Sequence, residues 1–196
     1  MNERAMTLAY PDVIARLRAV LPGRTRATTT WTGRPAAVAA LLVDRDGAPH
    51  VPLIVRGADA PAHPGQIALP GGRVEARDGG AVAAATREAF EELGVPTDRV
   101  EVLGVLDDVP TPTNFVITPV VATLDARELV YTPDPREVAA WFEAPLALFT
   151  DRANAHDLGE RTRDGVTYRL RGYDHGAHRI WGATARVLEA IADLLR

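Results

Sequence analysis

Arg87, Glu88, Glu91 and Glu92 carry the strongest chemical signal in this chain. The three glutamates stand at i, i+3 and i+4, so at about 3.6 residues per turn they share roughly a third of a helix circumference. Carboxylates held that close repel one another. A hard divalent cation that prefers oxygen ligands, Mg2+ or Mn2+, is the natural counter-charge. Just upstream, Gly71-Gly72 forms a turn where backbone can approach a ligand closely. A metal cluster beside a glycine turn points to chemistry on a phosphate. The competing reading is a solvated acidic face, which glutamates at this spacing commonly form. Against it stand the glycine turn, Asp78 between turn and helix, and Gly94-Val95 after the helix.

The helix that must position these groups is bounded by Gly79-Gly80 at its start and by Gly94, a C-terminal capping residue, at its end. Ala81 and Ala84 continue the acidic face with nothing bulky on it, leaving room for a loop or a phosphate. Val82, Ala89, Phe90 and Leu93 fall on another arc and are expected to pack against a sheet.

The stretch from residue 70 to 95, PGGRVEARDGGAVAAATREAFEELGV, resembles the Nudix box, G-x5-E-x7-R-E-U-x-E-E-x-G-U with U a bulky apolar residue. Gly72 opens it; Arg87, Glu88, Glu91, Glu92, Gly94 and Val95 close it. Asp78 replaces the first glutamate, the gap to Arg87 is one residue longer, and Ala89 is small for its apolar slot. An aspartate and the longer gap mark one branch of this superfamily, the coenzyme A pyrophosphatases. That branch also carries an upstream signature resembling residues 52–72. Leu53, Arg56, Gly65, Pro70, Gly71 and Gly72 match in register, with Ile67 and Leu69 as apolar equivalents. His63-Pro64-Gly65-Gln66 resembles its H-x-G-Q run, whereas Ala60 and Pro61 stand where the signature has Leu-Arg. VITPVV from Val116 and IWGATA from Ile180 are similar to later strings of the same branch.

The resemblance implies an α/β Nudix fold, a curved mixed β-sheet sandwiched between α-helices, over residues 35–196, with residues 1–34 an N-terminal helix and linker of the same domain. It implies a metal-dependent diphosphatase that splits coenzyme A or a derivative into 4′-phosphopantetheine and adenosine 3′,5′-bisphosphate. Mg2+ or Mn2+ would sit on Glu88, Glu91, Glu92 and the carbonyl of Gly71. Glu88 is the box residue best placed as base, and Arg87 and Asp78 would hold the loop to the helix. Arg56, Gly71 and Gly72 would meet substrate, and Glu137 is a further candidate ligand or base, ahead of Glu143. Two other readings stay open. The same chemistry can act on ADP-ribose, a dinucleotide or a nucleoside triphosphate, or the domain can bind a nucleotide as a non-catalytic sensor.

The remaining signals are weaker. Asp107-Asp108 is expected to cap a turn before Pro110. His175 and His178 lie near Asp174 without a zinc-like ligand set. Trp181 can stack on adenine or sit in the core. Nucleotide-binding glycine loops of the G-x-x-x-x-G-K-[ST] and G-x-G-x-x-G types are absent, as is a G-x-S-x-G elbow.

Composition agrees with a globular enzyme: 196 residues, 46% apolar and 24% charged, enough for one domain with a full core. A net charge of −4 gives no reason to expect nucleic-acid or membrane partners, so a polyanionic substrate needs local cations. The expected partner is a small coenzyme A-like nucleotide; a homodimer is left open. No cysteine is present to act as nucleophile or disulfide. No apolar run approaches the roughly 20 residues that span a bilayer, and no secretory signal is apparent, so a cytoplasmic location is expected.

Hydrophobic periodicity predicts helices over residues 10–21 and 181–195, with a short one over 145–149. It predicts strands over residues 35–43, 51–56, 66–69, 100–109, 115–124, 129–132, 138–142 and 167–170, with a hairpin turn at Asp46-Gly47. Residues 23–34 read as a polar linker and residues 58–64 as a Pro/Ala-rich loop.

Overall fold

A computed structural model describes residues 8–58, 64–163 and 166–196. Elements are numbered in chain order. The organising element is β1 (Arg34–Arg45), apolar along most of its length because both of its faces are buried. Side chains alternate along a strand. Ala37, Ala39, Leu41 and Val43 therefore enter one core, while Ala40 and Leu42 enter a second on the opposite face.

Asp46 (φ 53°) and Gly47 (φ 80°) both take the left-handed conformation that a tight hairpin needs. They return the chain into β2 (Ala48–Arg56), as the Asp-Gly signal predicts. The two strands pair only near this turn, from Val43 opposite His50 to Arg45 opposite Ala48. Beyond it they part. β1 pairs in parallel with β7 (Phe115–Leu124) and antiparallel with β4 (Gly71–Arg73). β2 pairs antiparallel with β3 (Ile67–Ala68) and β8 (Val138–Pro145). β5 (Val100–Val105) and β6 (Val109–Pro110) complete this eight-stranded mixed sheet along β7.

Helix α2 (Ala81–Leu93) covers one face, and α1 (Tyr10–Val20) and α3 (Gly182–Asp193) contribute to the core on the other. The expected mixed sheet between helices is thus the observed architecture. α1 buries Val13, Ile14 and Leu17 in the same core as Val187, Leu188 and Ile191 of α3.

Several elements differ from the sequence expectation. Residues 129–132 form no strand: the Thr132 amide bonds instead to the Leu93 carbonyl, so this segment closes the C-terminal end of α2. The span 100–109 is two strands rather than one. Asp107 and Asp108 do not cap a turn; they pair with Arg24 and Arg26 and fasten the linker after α1 to the sheet. The short strand over 167–170 is the middle of β10 (Val166–His175), which pairs with β9 (Ala155–Arg163) and β11 (His178–Trp181) in a second, three-stranded sheet. β9 is charge-rich and largely exposed, so it carries little apolar alternation to read. Ala60, Pro61 and His63 lie outside the described residues.

Candidate metal centre and active site

α2 starts after Gly79 (φ 68°) and Gly80 (φ 145°) and ends at Gly94 (φ 69°), a left-handed cap whose amide returns to the Ala89 and Phe90 carbonyls. The buried residues of this helix are Ala84, Ala85, Ala89, Glu92 and Leu93. Ala84, Ala85 and Ala89 share a core with Ala37 and Ala39 of β1, so the helix lies on the sheet through small side chains. This corrects the predicted faces. Ala84 belongs to the core rather than to open space beside the glutamates, while Val82 and Phe90 point to solvent, 40% and 55% exposed. Bulk was the wrong guide to burial because a helix packed on alanines has no room for a phenylalanine beneath it.

The small-residue contact brings the glutamates onto Gly71 and Gly72, which do not form the turn predicted from sequence but lie extended in β4, opposite Val38 and Ala37 of β1. Glu92 is 2% exposed, and its Oε2 accepts the Gly71 amide proton at 2.8 Å. The Glu88 carboxylate lies against the Cα of Gly72, where a Cβ would overlap it; a Cβ at Gly71 would overlap the Ala37 carbonyl. Gly71 therefore requires glycine for space because it meets backbone, whereas a side chain at Gly72 would displace the Glu88 carboxylate. Glu137, exposed just ahead of β8, arrives from a separate segment that the Asp134 amide ties to the Glu92 carbonyl at 3.2 Å. Its carbonyl accepts the Gly57 amide at 2.7 Å, beside the register pair of Arg56 with Val138. Oxygens of Glu88, Glu92 and Glu137 lie within 4.8 Å of one another, which no other set of three acidic or histidine residues achieves among those described.

Glu91 is not part of this convergence. Its side chain is 42% exposed and bonds to Arg87 Nη1 at 2.6 Å, with Arg77 at 3.5 Å. Arg87 ties the whole segment together. Its Nε and Nη2 donate to the two oxygens of Asp78 at 2.7 and 3.0 Å, Nη2 donates to the Arg73 carbonyl at 3.0 Å, and Nη1 reaches Glu88 at 2.9 Å. This two-pronged grip, with the Glu75 amide as a further donor, pushes the Asp78 carboxyl down to about 2. The aspartate and the longer gap thus form one structural unit in which Arg87 closes the loop over the helix. Glu143 is taken by Arg45, at 2.6 Å on both oxygens, and by the Tyr131 hydroxyl at 3.1 Å. His178 stacks on Phe142 at 4.3 Å and His156 faces Asp174 at 3.1 Å, so these two histidines are used elsewhere.

The carboxylate cluster opens on a cavity of about 1390 Å3 lined also by Arg56, Gly71, Gly72, Glu91, Trp31 and Trp181. Burial pushes Glu92 up to about 8, with repulsion from Glu88 and Glu137 adding to it and the Gly71 amide and Arg56 opposing. Burial raises Glu88 as well, against the pull of Arg87. A buried carboxylate with two more beside it, all oxygen donors, fits a hard divalent cation and little else.

The same shift sets an expected pH dependence. The folded, metal-free chain keeps a proton on Glu92 up to about pH 8, whereas the unfolded chain releases it near the ordinary 4.5. The Glu92 contribution to stability is therefore full below about pH 4.5 and is withdrawn as pH rises toward 8. In EDTA, the thermal midpoint is expected to fall across that window. Saturating Mn2+ should restore it at the alkaline end by binding the folded state, and Glu92→Gln should flatten the slope. A midpoint indifferent to both pH and Mn2+ would contradict the assignment of this cluster.

Three comparisons bear on this arrangement. The NUDIX domain family matches residues 33–162. A protein of Enterobacter sp. (strain 638) described as uncharacterized Nudix hydrolase NudL is 37% identical over 187 residues, covering 94% of both chains. Its Escherichia coli (strain K12) counterpart is 36% identical over 192 residues, covering 98% of this chain and 96% of its own. The crystal structure of DR0079 from Deinococcus radiodurans covers 81% of this chain and 82% of its own at 14% identity with a TM-score of 0.53, a likeness of fold.

Proposed function

The chain belongs to the Nudix family of hydrolases, and from that premise we propose that it cleaves the diphosphate of coenzyme A or an acyl derivative. The products are 4′-phosphopantetheine and adenosine 3′,5′-bisphosphate. The observation that carries a diphosphatase reading is the convergence of Glu88, Glu92 and Glu137 within 4.8 Å, with Glu92 bonded to the Gly71 amide of β4. The choice of coenzyme A rests on the register of Leu53, Arg56, Gly65 and Pro70 through Gly72, and on the Asp78 variant of the box with its longer loop.

Glu88, Glu92 and Glu137 are assigned to hold Mg2+ or Mn2+, with the Gly71 carbonyl as a further ligand. When bound, the metal withdraws charge from the diphosphate and makes water more acidic. Glu92, fixed by the Gly71 amide, sets the depth of the site. Glu88 is wedged at Gly72 and steadied by Arg87, and it is assigned to accept the proton of the attacking water. Glu91 takes a place at the outer edge of the cavity, where its bond to Arg87 helps to orient Glu88. Arg56 is paired with Val138 on the β2–β8 ladder, one residue after Glu137, and is assigned to a phosphate oxygen of the substrate. Water adds to one phosphorus, the bridging oxygen leaves with the other, and two phosphate monoesters result.

The test is chromatographic product analysis with Mg2+ or Mn2+ and, separately, coenzyme A, ADP-ribose, NADH and nucleoside triphosphates. Adenosine 3′,5′-bisphosphate appearing fastest, from coenzyme A, is the expected result. Faster turnover of another compound would overturn the substrate and keep the chemistry. No turnover of any would overturn both.

A further inference from the structure

The far wall of the cavity, away from the carboxylates, is built from the second sheet and the first turns of α3. Tyr168 and Leu170 of β10, Trp181 and Arg186 line it. This wall is tied to the edge of the main sheet, because Thr184 Oγ1 donates to the Ile67 carbonyl of β3 at 3.2 Å. The two ends therefore belong to one continuous depression.

Arg186 is unusual among the arginines here. Its side chain is reached by solvent, yet the surrounding wall strips away enough water to hold its pKa below the ordinary guanidinium value. Among the described residues it makes no hydrogen bond or ion pair. The carboxylate acting on it, Glu189, is already held by the Tyr173 hydroxyl at 2.7 Å, by Arg152 at 3.1 Å and by Arg171 at 3.4 Å. Arg87 and Arg136, which line the same cavity, are each engaged by a carboxylate, whereas Arg73 lies over the Phe115 ring and Arg161 bonds to the Glu160 carbonyl; Arg186 alone of these is held below the ordinary guanidinium value. The Arg186 side chain is exposed and carries no anion of its own among the described residues. Facing a cavity, it is arranged for an anion that arrives with the ligand.

We propose that Arg186 binds a phosphate monoester carried on the substrate's ribose, separate from the diphosphate. The inference rests on the diphosphatase reading above, since the diphosphate is then committed to the carboxylate end. ADP-ribose and NADH have no second phosphate to offer. Coenzyme A has one at the 3′ position, and a dinucleotide phosphorylated at the 2′ position has the same chemistry. At neutral pH such a monoester carries close to two negative charges, which the planar guanidinium meets with paired donors. Trp181, 38% exposed at the head of α3, offers a flat face for the attached base.

The test uses the full chain with Mn2+ and measures kcat/KM on two pairs, coenzyme A against 3′-dephospho-coenzyme A and NADPH against NADH. The unaltered protein should favour the monoester-bearing member of one pair by roughly 10- to 100-fold. Arg186→Gln should remove most of that preference, chiefly through KM, and Arg186→Lys should return part of it, both with unchanged thermal midpoints. The pair that shows the effect identifies the source of the monoester. Calorimetric binding of adenosine 3′,5′-bisphosphate and of AMP gives a readout that needs no turnover. Tighter binding of the bisphosphate, lost in Arg186→Gln, supports the site even if the preferred substrate proves to be another diphosphate. Equal binding of the two, or an Arg186→Gln loss of the same size on both members of each pair, overturns it.

Discussion

Glu92→Gln should lower kcat on the fastest substrate by about 10^3-fold, whereas Glu91→Gln should cost about tenfold or less. Sequence spacing treats the two as equals, one position apart on the same helix face. The structure separates them. Glu92 is 2% exposed, bonded to the Gly71 amide, and shares a 4.8 Å cluster with Glu88 and Glu137. Glu91 is 42% exposed and spends its charge on Arg87 and Arg77. Glutamine keeps the shape of either side chain and removes the negative charge, so the difference between the two variants isolates the charge. Steady-state kinetics at saturating Mn2+, with Mn2+ affinity followed by electron paramagnetic resonance, measures both. Equal losses at the two positions would mean that Glu91 turns inward when metal binds and that the convergent set here is incomplete. An unaffected Glu92→Gln would remove the metal assignment altogether.

Arg87→Ala is expected to damage both stability and turnover. The Asp78 side chain is 3% exposed and has Arg87 as its principal counter-charge, with two bonds at 2.7 and 3.0 Å. Removing one partner of an enclosed, two-pronged ion pair leaves the other without compensation, and a loss on the order of 10 °C in thermal midpoint is expected for a chain of this size. Turnover should fall with it because Glu88 loses its 2.9 Å tether. Adding Asp78→Ala to Arg87→Ala should recover part of the midpoint and none of the rate, since the stranded carboxylate is gone while Glu88 stays untethered. The pair's own pH dependence runs opposite to that of Glu92. A carboxyl depressed to about 2 contributes fully above its ordinary 3.8 and loses its contribution only as pH falls through that interval. A midpoint unchanged by Arg87→Ala would show that the loop stands without the arginine.

What could be read from the sequence was local. The caps of α2, the Asp46-Gly47 hairpin, and β7 follow from glycine placement and runs of β-branched residues, and each appears where expected. The arginine-to-aspartate closure was also within reach, since both residues flank a single loop. Other features depend on contacts between distant segments. Glu137 joins the carboxylates only because β8 pairs with β2 and begins beside Arg56, and no spacing rule on α2 contains that. The outward Phe90 reflects how closely the helix approaches β1, a property of two elements together. Arg186 was passed over for a related reason. A lone arginine on a terminal helix is ordinary, and its lack of a partner becomes visible only once Glu189 is seen to be occupied by Tyr173, Arg152 and Arg171.

The alternation along β1 has a further consequence for how the molecule comes apart. One strand feeds both cores, with Leu41 on the α2 side and Leu42 on the α1 and α3 side, and both are fully enclosed. Neither layer can peel away without uncovering a side chain of the strand that anchors the other. Melting should therefore occur as a single cooperative event, and the backbone amides around these two leucines should be among the slowest in the chain to exchange with deuterated solvent, opening only in global unfolding. The exposed residues of the charge-rich β9 beyond Ala155 should exchange long before. The ends of the cavity would then differ in stiffness: a rigid end for the groups that do chemistry, and a more yielding one where substrates of different size must be accommodated.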